Sequence, residues 1–246
     1  MANLFFDTHD LSQYLVTPGV SGTLDLPNRE IQQLYLPGQD IPAESVGRLV
    51  ARPLSFHVVV AGTDHADLIA TLAVLETWLH PDLGYKVLTV RDRPNQQTMA
   101  RGRGWNLDFD QIPYLIRVVE FDLAFDRYPY WEDVTPVVAN PVTNPMTVGG
   151  NLTCYPLWTC TVSSTMTHGL SFTVNGKKFK YDGALAAADV LTVDADPQAP
   201  TPKLNGTIDW ANTATDADFP GLIAGSNVIT KAPTNFVLRA DYRRRY

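Results

Sequence analysis

IPYLIRVVEFDLAFDRYPYW, residues 112–131, carries the strongest strand signal in the chain. Val119, Phe121, Leu123 and Phe125 alternate with Glu120, Asp122, Ala124 and Asp126, a period of two that gives an extended segment one apolar and one polar face. The apolar face needs a cover. TDHADLIATLAVLETWLHP, residues 63–81, supplies it. Leu68, Leu72, Leu75 and Leu79 recur at spacings of four, three and four, with Ile69 and Trp78 beside them, which predicts an amphipathic helix. Thr63 or Asp64 can cap its first turn, Asp64 and Asp67 suit the positive end of its dipole, and Pro81 ends it.

Further strands flank this pair. Residues 4–6 (Leu-Phe-Phe) open a strand, and TPGVSG at 17–22 reads as a turn. LVARPLSFHVVVAG, 49–62, reads as one or two strands broken near Pro53. YKVLTVRDRP, 85–94, is a strand ending at a charged turn. RGRGWNLDFD, 101–110, with its two glycines, reads as a bulged strand or a long hairpin arm.

Composition then shifts. VTPVVANPVTNPMTVGG, 134–150, has three prolines and no charge, which places a domain boundary near 140. Beyond 151 short β-like runs recur about every ten residues, the spacing of an all-β sandwich or barrel. They are NLTCYPLWTCTV, LSFTVNGKKFKYDG, DVLTVDAD, KLNGTIDW, NVITKA and NFVLRADYRR. Asn175-Gly176 is the clearest hairpin turn and Asn205-Gly206 a second. ALAAAD, 184–189, reads as a helical turn. In DFPGLIAGSNVIT, 218–230, Phe219 and Leu222 can fill the mouth of a sandwich, residues 224–227 read as a tight turn, and Ile229 points opposite to Val228 and Thr230. The fold class is therefore mainly β: an α+β domain at 1–140, with one helix on a β-sandwich or barrel, then a β-sandwich at 141–246.

The 246 residues are 45% hydrophobic and 18% charged, enough to bury a sizeable core. A net charge of −7 disfavours generic nucleic-acid binding. The basic run Arg243-Arg244-Arg245 reads as a solvated end or a partner contact. Cys154 and Cys160 lie six apart in a β-like segment, ~20 Å of strand and beyond disulfide reach, so two free, buried thiols are expected. MANLFFDTHDLSQYL has no signal-peptide pattern and no run is long enough to span a bilayer, so a soluble, cytosolically made protein is expected.

Candidate chemistry is sparse. His9, His57, His65, His80 and His168 show no metal-ligand spacing, and His57 reads as a packed or edge-strand histidine. No nucleophile elbow or phosphate loop occurs. Asp194 and Asp196, with Asp209, could start a calcium loop or serve a hydrolase, but further ligands are missing and a solvated strand end fits better. Trp158 and Trp210, with Tyr155 and Tyr181, are the candidates for stacking on a sugar, against the alternative of core packing. A carbohydrate-binding or adhesin module is thus the second reading. No catalytic residue, cofactor or metal is assigned.

The order of features resembles the distal tail protein (Dit) family of siphophages. LSFHVVVAG, the leucine-rich helix, the strand ending at Arg-Asp-Arg-Pro and IRVVEFDLAFDRYPYW carry the resemblance in the first half. NLTCYPLWTCTV, LSFTVNG, DVLTVDAD, KLNG, DFPGLIAGSNVIT and the Arg-Tyr ending carry it in the second. The resemblance covers residues 45–246. It implies a non-enzymatic structural hub, a hexameric ring at the tip of the phage tail, with the first domain continuing the tube and a galectin-like β-sandwich outside. It implies contacts with the tail tube protein and with a tail-associated hub protein, and it allows receptor-binding or tape measure proteins as further partners. The place implied is the virion tail tip, assembled in the host cytoplasm. Short loops between the expected strands point to a hub without long arms.

Overall fold

The structure, a computed structural model, describes residues 4–14, 28–34, 43–50, 53–105 and 112–246. They form two compact units, Met1–Trp131 and Glu132–Tyr246. The division precedes the expected 140 because the proline-rich stretch is built into the second unit, where it supplies two strands.

In the first unit the strands are β1 (Leu4–Phe6), β2 (His9–Asp10), β3 (Asn28–Leu34), β4 (Ala43–Val50), β5 (Leu54–Ala61), β6 (Lys86–Val90), β7 (Gln96–Gly102) and β8 (Val118–Arg127). β3 and β4 pair as a separate hairpin, and the main sheet runs β2-β1-β6-β7-β8-β5, antiparallel throughout. The alternation in β8 sets the register. Val119, Phe121, Leu123 and Phe125 lie opposite Val60, Val58, Phe56 and Leu54. Phe125 also meets the rings of Phe6 and Phe56 at 5.2 and 5.8 Å.

Helix α1 (His65–Leu79) covers this face, and its four expected leucines are the buried ones. Each contributes about 1.5–3 kcal/mol by leaving water. Asp64 is the N-cap, accepting from the Asp67 N–H. Two glycines let strand ends reach the helix: a Cβ at Gly62 would lie 2.4 Å from the Leu68 nitrogen, and one at Gly102 2.3 Å from the Leu79 carbonyl oxygen. The strand expected over 101–110 lies earlier, at Gln96–Gly102, with Thr98, Ala100 and Gly102 on its buried face and Gly102 against the helix end. Residues 106–110 of that expectation, and the turn expected at 17–22, lie outside the described residues. No helix among the described residues is long and apolar enough to cross a membrane.

The second unit is a two-layer sandwich. Its strands are β9 (Glu132–Asp133), β10 (Val137–Ala139), β11 (Met146–Val148), β12 (Leu157–Val162), β13 (Leu170–Val174), β14 (Lys177–Tyr181), β15 (Val190–Asp194), β16 (Thr201–Leu204), β17 (Thr207–Ile208), β18 (Gly225–Asn227), β19 (Ile229–Ala232) and β20 (Phe236–Tyr242). One sheet runs β10-β20-β12-β15-β16-β17, a second β14-β13-β19, and β11 pairs with β18. Trp158, Cys160, Leu191, Val193 and Leu238 from the first sheet pack with Phe172, Val174, Phe179 and Ile229 from the second in one buried cluster. Both expected Asn-Gly hairpins form. Asn175 and Gly176 have φ of 49° and 86°, Asn205 and Gly206 48° and 85°, the left-handed pair a two-residue turn requires.

Two local expectations are corrected. Residues 184–189 make no helical turn: Leu185 bridges Met166, and Asp189 closes a turn by accepting from the Ala186 N–H at 2.7 Å. Residues 224–227 are not a tight turn either, since Gly225–Asn227 is strand β18. The corner is closed instead by Asn227, fully buried, whose amide accepts from the Ile223 N–H and donates to the Ile223 and Gly225 carbonyls. Ile229 is buried while Val228 and Thr230 are exposed, as the period predicts.

Candidate functional surfaces

The histidines do not converge. His57 sits on β5, at the end of the sheet order, with Nδ1 3.1 Å from Asp122 Oδ1 and Nε2 3.6 Å from Glu120 Oε2, on the solvent side. His9 stacks on Trp78 at 4.2 Å, His65 meets Tyr114 at 5.2 Å, and His80 lies 3.6 Å from Asp82. His168 lines a separate groove on the second unit. Among the described residues no three His, Cys, Asp or Glu side chains are grouped to hold a metal ion.

The acidic candidates sit at turns. Asp194 accepts from the Asp196 N–H at 3.0 Å and Asp196 from the Gln198 N–H at 3.0 Å, local turns that each engage one carboxylate oxygen. Asp209 accepts from the Tyr181 hydroxyl at 2.6 Å and from the Asn212 amide at 2.9 Å. These two partners, the phenol first, hold its carboxyl below the usual range, while burial and then Asp209 push the Tyr181 phenol up.

The two tryptophans separate. Trp158 is 0% exposed, packs on Phe172 at 5.2 Å and donates its indole N–H to the Pro220 carbonyl at 2.9 Å. It offers no face to a sugar, because its parity on β12 is that of the buried Cys160 and Val162. Trp210 is 50% exposed and leans on Phe219 at 5.6 Å. Tyr181 is buried, and Tyr155 lies under the Arg245 guanidinium at 5.2 Å. Cys154 and Cys160 are free and buried; burial raises the first thiol to about 11, against an opposing pull from Arg245, and lifts the second further.

A recess of about 460 Å³ is an open groove on the second unit, walled by Thr165, His168, Ser171, Lys180, Pro233 and Asn235. Lys180 is held by Asp182 at 2.7 Å. The long connection at residues 209–224 projects no arm. It is laid over the sandwich, with Thr213 bridging Tyr181, Asp218 accepting from the Lys178 N–H at 3.3 Å and Leu222 bridging Cys154.

The basic C-terminal run, expected as a solvated end or a partner contact, is half-buried and tied back onto its own unit. Arg243 donates to the carbonyls of Asp133 and Val134. Arg244 Nε donates to Asp133 Oδ2 and the Tyr246 hydroxyl to Asp133 Oδ1. Arg245 approaches Glu132 at 3.9 Å. Asp133 lifts the Arg244 guanidinium above its already high range, so Arg244 stays charged.

Two features of the first unit went unread in the sequence. Pro113–Ile116 is a turn, the Ile116 N–H donating to the Pro113 carbonyl at 2.9 Å, and at its tip Tyr114 and Leu115 are 81% and 89% exposed. A recess of about 130 Å³ lies at the other end of α1, walled by Glu76, Leu79, His80, Pro81, Gly104 and Trp105. Pro113 was the available signal for the turn.

No family model matches the chain, and no curated protein matches it in sequence. Solved structures do. The Dit (gp 19.1) protein of phage SPP1, described as a paradigm of the hub adsorption apparatus in phages infecting Gram-positive hosts, is 17% identical and superposes with a TM-score of 0.80, covering 100% of this chain and 99% of that one. Two structures of the phage P2 baseplate in its activated conformation, with Ca and with Sr, are each 7% identical over 99% of this chain and 91% of theirs, with TM-scores of 0.49 and 0.48. At 17% identity the likeness to SPP1 Dit is one of fold, and this chain has a Dit-like fold.

Proposed function

We propose that this chain is a structural hub of a phage tail tip, a distal tail protein. In this reading it forms a homo-hexameric ring that joins the tail tube protein to a tail-associated hub protein, with no catalytic step. The ring comes from the α+β unit, and the sandwich is a galectin-like outer domain. The observation that supports this best is the fold likeness to the SPP1 hub protein at a TM-score of 0.80, which takes in both units. Fold alone does not carry function. The second support is the form of the surfaces: the acidic candidates each accept a turn N–H, and the α+β unit carries Tyr114 and Leu115, the two most exposed of the large apolar side chains described. The place of action would be the virion tail tip, after assembly in the host cytoplasm.

Native mass spectrometry of the purified full chain, alone and with the tail tube protein of the same virus, tests the proposal. A six-copy species, or a ring formed on the tube, is expected. A monomer under both conditions overturns it. The carbohydrate reading keeps one residue with an exposed face, Trp210. Glycan-array binding lost in Trp210→Ala would favour that reading.

A further inference from the structure

Helix α1 has a projection at one end and a recess at the other. At its N-terminal end, the Tyr114 ring leans on His65 at 5.2 Å, and the Gly62 N–H donates to the Arg117 carbonyl at 2.8 Å, which fixes the turn beside the helix start. Tyr114 and Leu115, 81% and 89% exposed, are the most exposed of the large apolar side chains described. Two such neighbours on a rigid turn expose apolar area that a soluble surface normally hides. At the C-terminal end lies the recess of about 130 Å³, walled by Leu79, Pro81 and Trp105 with Glu76 and His80 at its rim. That volume is close to the ~150 Å³ apolar cavity known to take up benzene, so one leucine or phenol side chain fits. Fifteen helical residues separate the two ends by about 22 Å.

Charge agrees with shape. Arg117, exposed beside the projection, has no ion pair among the described residues. Glu76, at the recess, has none either, whereas Asp82, two residues past His80, lies 3.6 Å from the His80 ring. The acids at the projection end are engaged, Asp64 by the Asp67 N–H and Asp67 by Thr63. The recess does not lie beside the projection, so one copy cannot fill its own.

We infer that copies of this chain dock head to tail, the Tyr114–Leu115 turn of one copy seated in the recess at the C-terminal end of α1 in the next, with Arg117 facing Glu76. This rests on the ring reading and names its anchor. A projection and a recess on different parts of one surface make a heterologous contact, the kind that closes into a ring when the rotation per copy allows. One of the two side chains fills the recess and the other packs at its edge, the hot spot of a larger interface, since a stable contact buries about 1,200–2,000 Å² in total.

The test is a cysteine pair in the full chain. Leu115→Cys with Glu76→Cys, oxidised and run on a non-reducing gel, gives a ladder of covalent multimers that collapses with reductant. Each single variant gives no ladder, because Cys154 and Cys160 are buried. In parallel, Tyr114→Ser with Leu115→Ser leaves the melting temperature unchanged and raises the concentration at which the ring dissociates by at least ~30-fold. A six-copy wild type whose cysteine pair yields no ladder, or whose serine variant keeps its ring, overturns the inference and leaves the ring reading intact. Covalent dimers from Leu115→Cys alone mean a two-fold contact and overturn it as well. A monomeric wild type with no ladder overturns both.

Discussion

Arg244 donates its Nε–H to Asp133 Oδ2 at 2.6 Å across 111 positions of sequence. Asp133 is 7% exposed, and its other oxygen takes the Tyr246 hydroxyl. Asp133→Ala leaves both donors without their acceptor. We expect a loss of about 1–3 kcal/mol, read by urea unfolding. Arg244→Gln, which frees a more exposed group, costs about 1 kcal/mol.

Gly102→Ala forces a Cβ to within 2.3 Å of the Leu79 carbonyl oxygen. Backbone cannot yield there as a flexible side chain would. A loss of about 1–3 kcal/mol is expected, seen as a lower midpoint in thermal unfolding. Gly84→Ala, where a Cβ meets nothing within 4 Å, costs backbone strain alone, about 1–3 kcal/mol at φ 72° and ψ −158°, and leaves the helix–strand packing unchanged.

Asn227→Ala removes the amide that satisfies Ile223 on both its N–H and its carbonyl. With that loop unsatisfied and a buried hole left behind, about 3 kcal/mol is lost from the sandwich. Asn227→Asp keeps the acceptor and loses the donor, so it recovers only part. Two-dimensional NMR of each variant checks whether the change stays within the second unit.

The buried thiols give the sandwich an alkaline limit. Burial raises Cys154 to about 11 in the folded state. The unfolded value is about 8.5. Between the two the unfolded chain has fewer bound protons, so stability falls as pH rises. The contribution is complete below about pH 8.5 and gone once pH passes about 11. Tyr181, also raised, acts in the same direction from about pH 10. Melting temperatures from pH 7 to 11 should decline over that window. At pH 8 a thiol reagent should leave both cysteines unmodified until denaturant is added.

Trp158→Ala should cost about 3–5 kcal/mol and Trp210→Ala under about 1 kcal/mol, because the first is core and the second half exposed. Equal effects in calorimetry would contradict this division.

Periodicity revealed the parts of the fold that depend on neighbours in sequence. The leucine stripe of α1, the alternation of β8 and the Asn-Gly hairpins are all local patterns, and each took the expected form. Where the pattern failed, distant contacts had decided. Apolar Tyr114 and Leu115 read as an extension of β8, since nothing local distinguishes an apolar residue bound for a core from one on a surface. Strand β18 read as a turn because its pairing with β11 joins residues far apart. The basic run at 243–245 read as a solvated end or a partner contact because its acid lies at 133. Trp158 was decidable in principle: it shares parity with Cys160 and Val162, whereas Trp210 follows the end of β17.

The hold of Asp133 on Arg244 and Tyr246 also brings the two flanks of the sandwich, β9 and the residues after β20, to one spot. A module with adjoining ends can be lifted out, spliced into another chain or re-cut with new termini without tearing its sheets, provided the new ends fall at exposed turns. Asn205-Gly206, exposed between β16 and β17, is such a place. In a lineage that exchanges parts by recombination, this closure would make the sandwich a portable cassette.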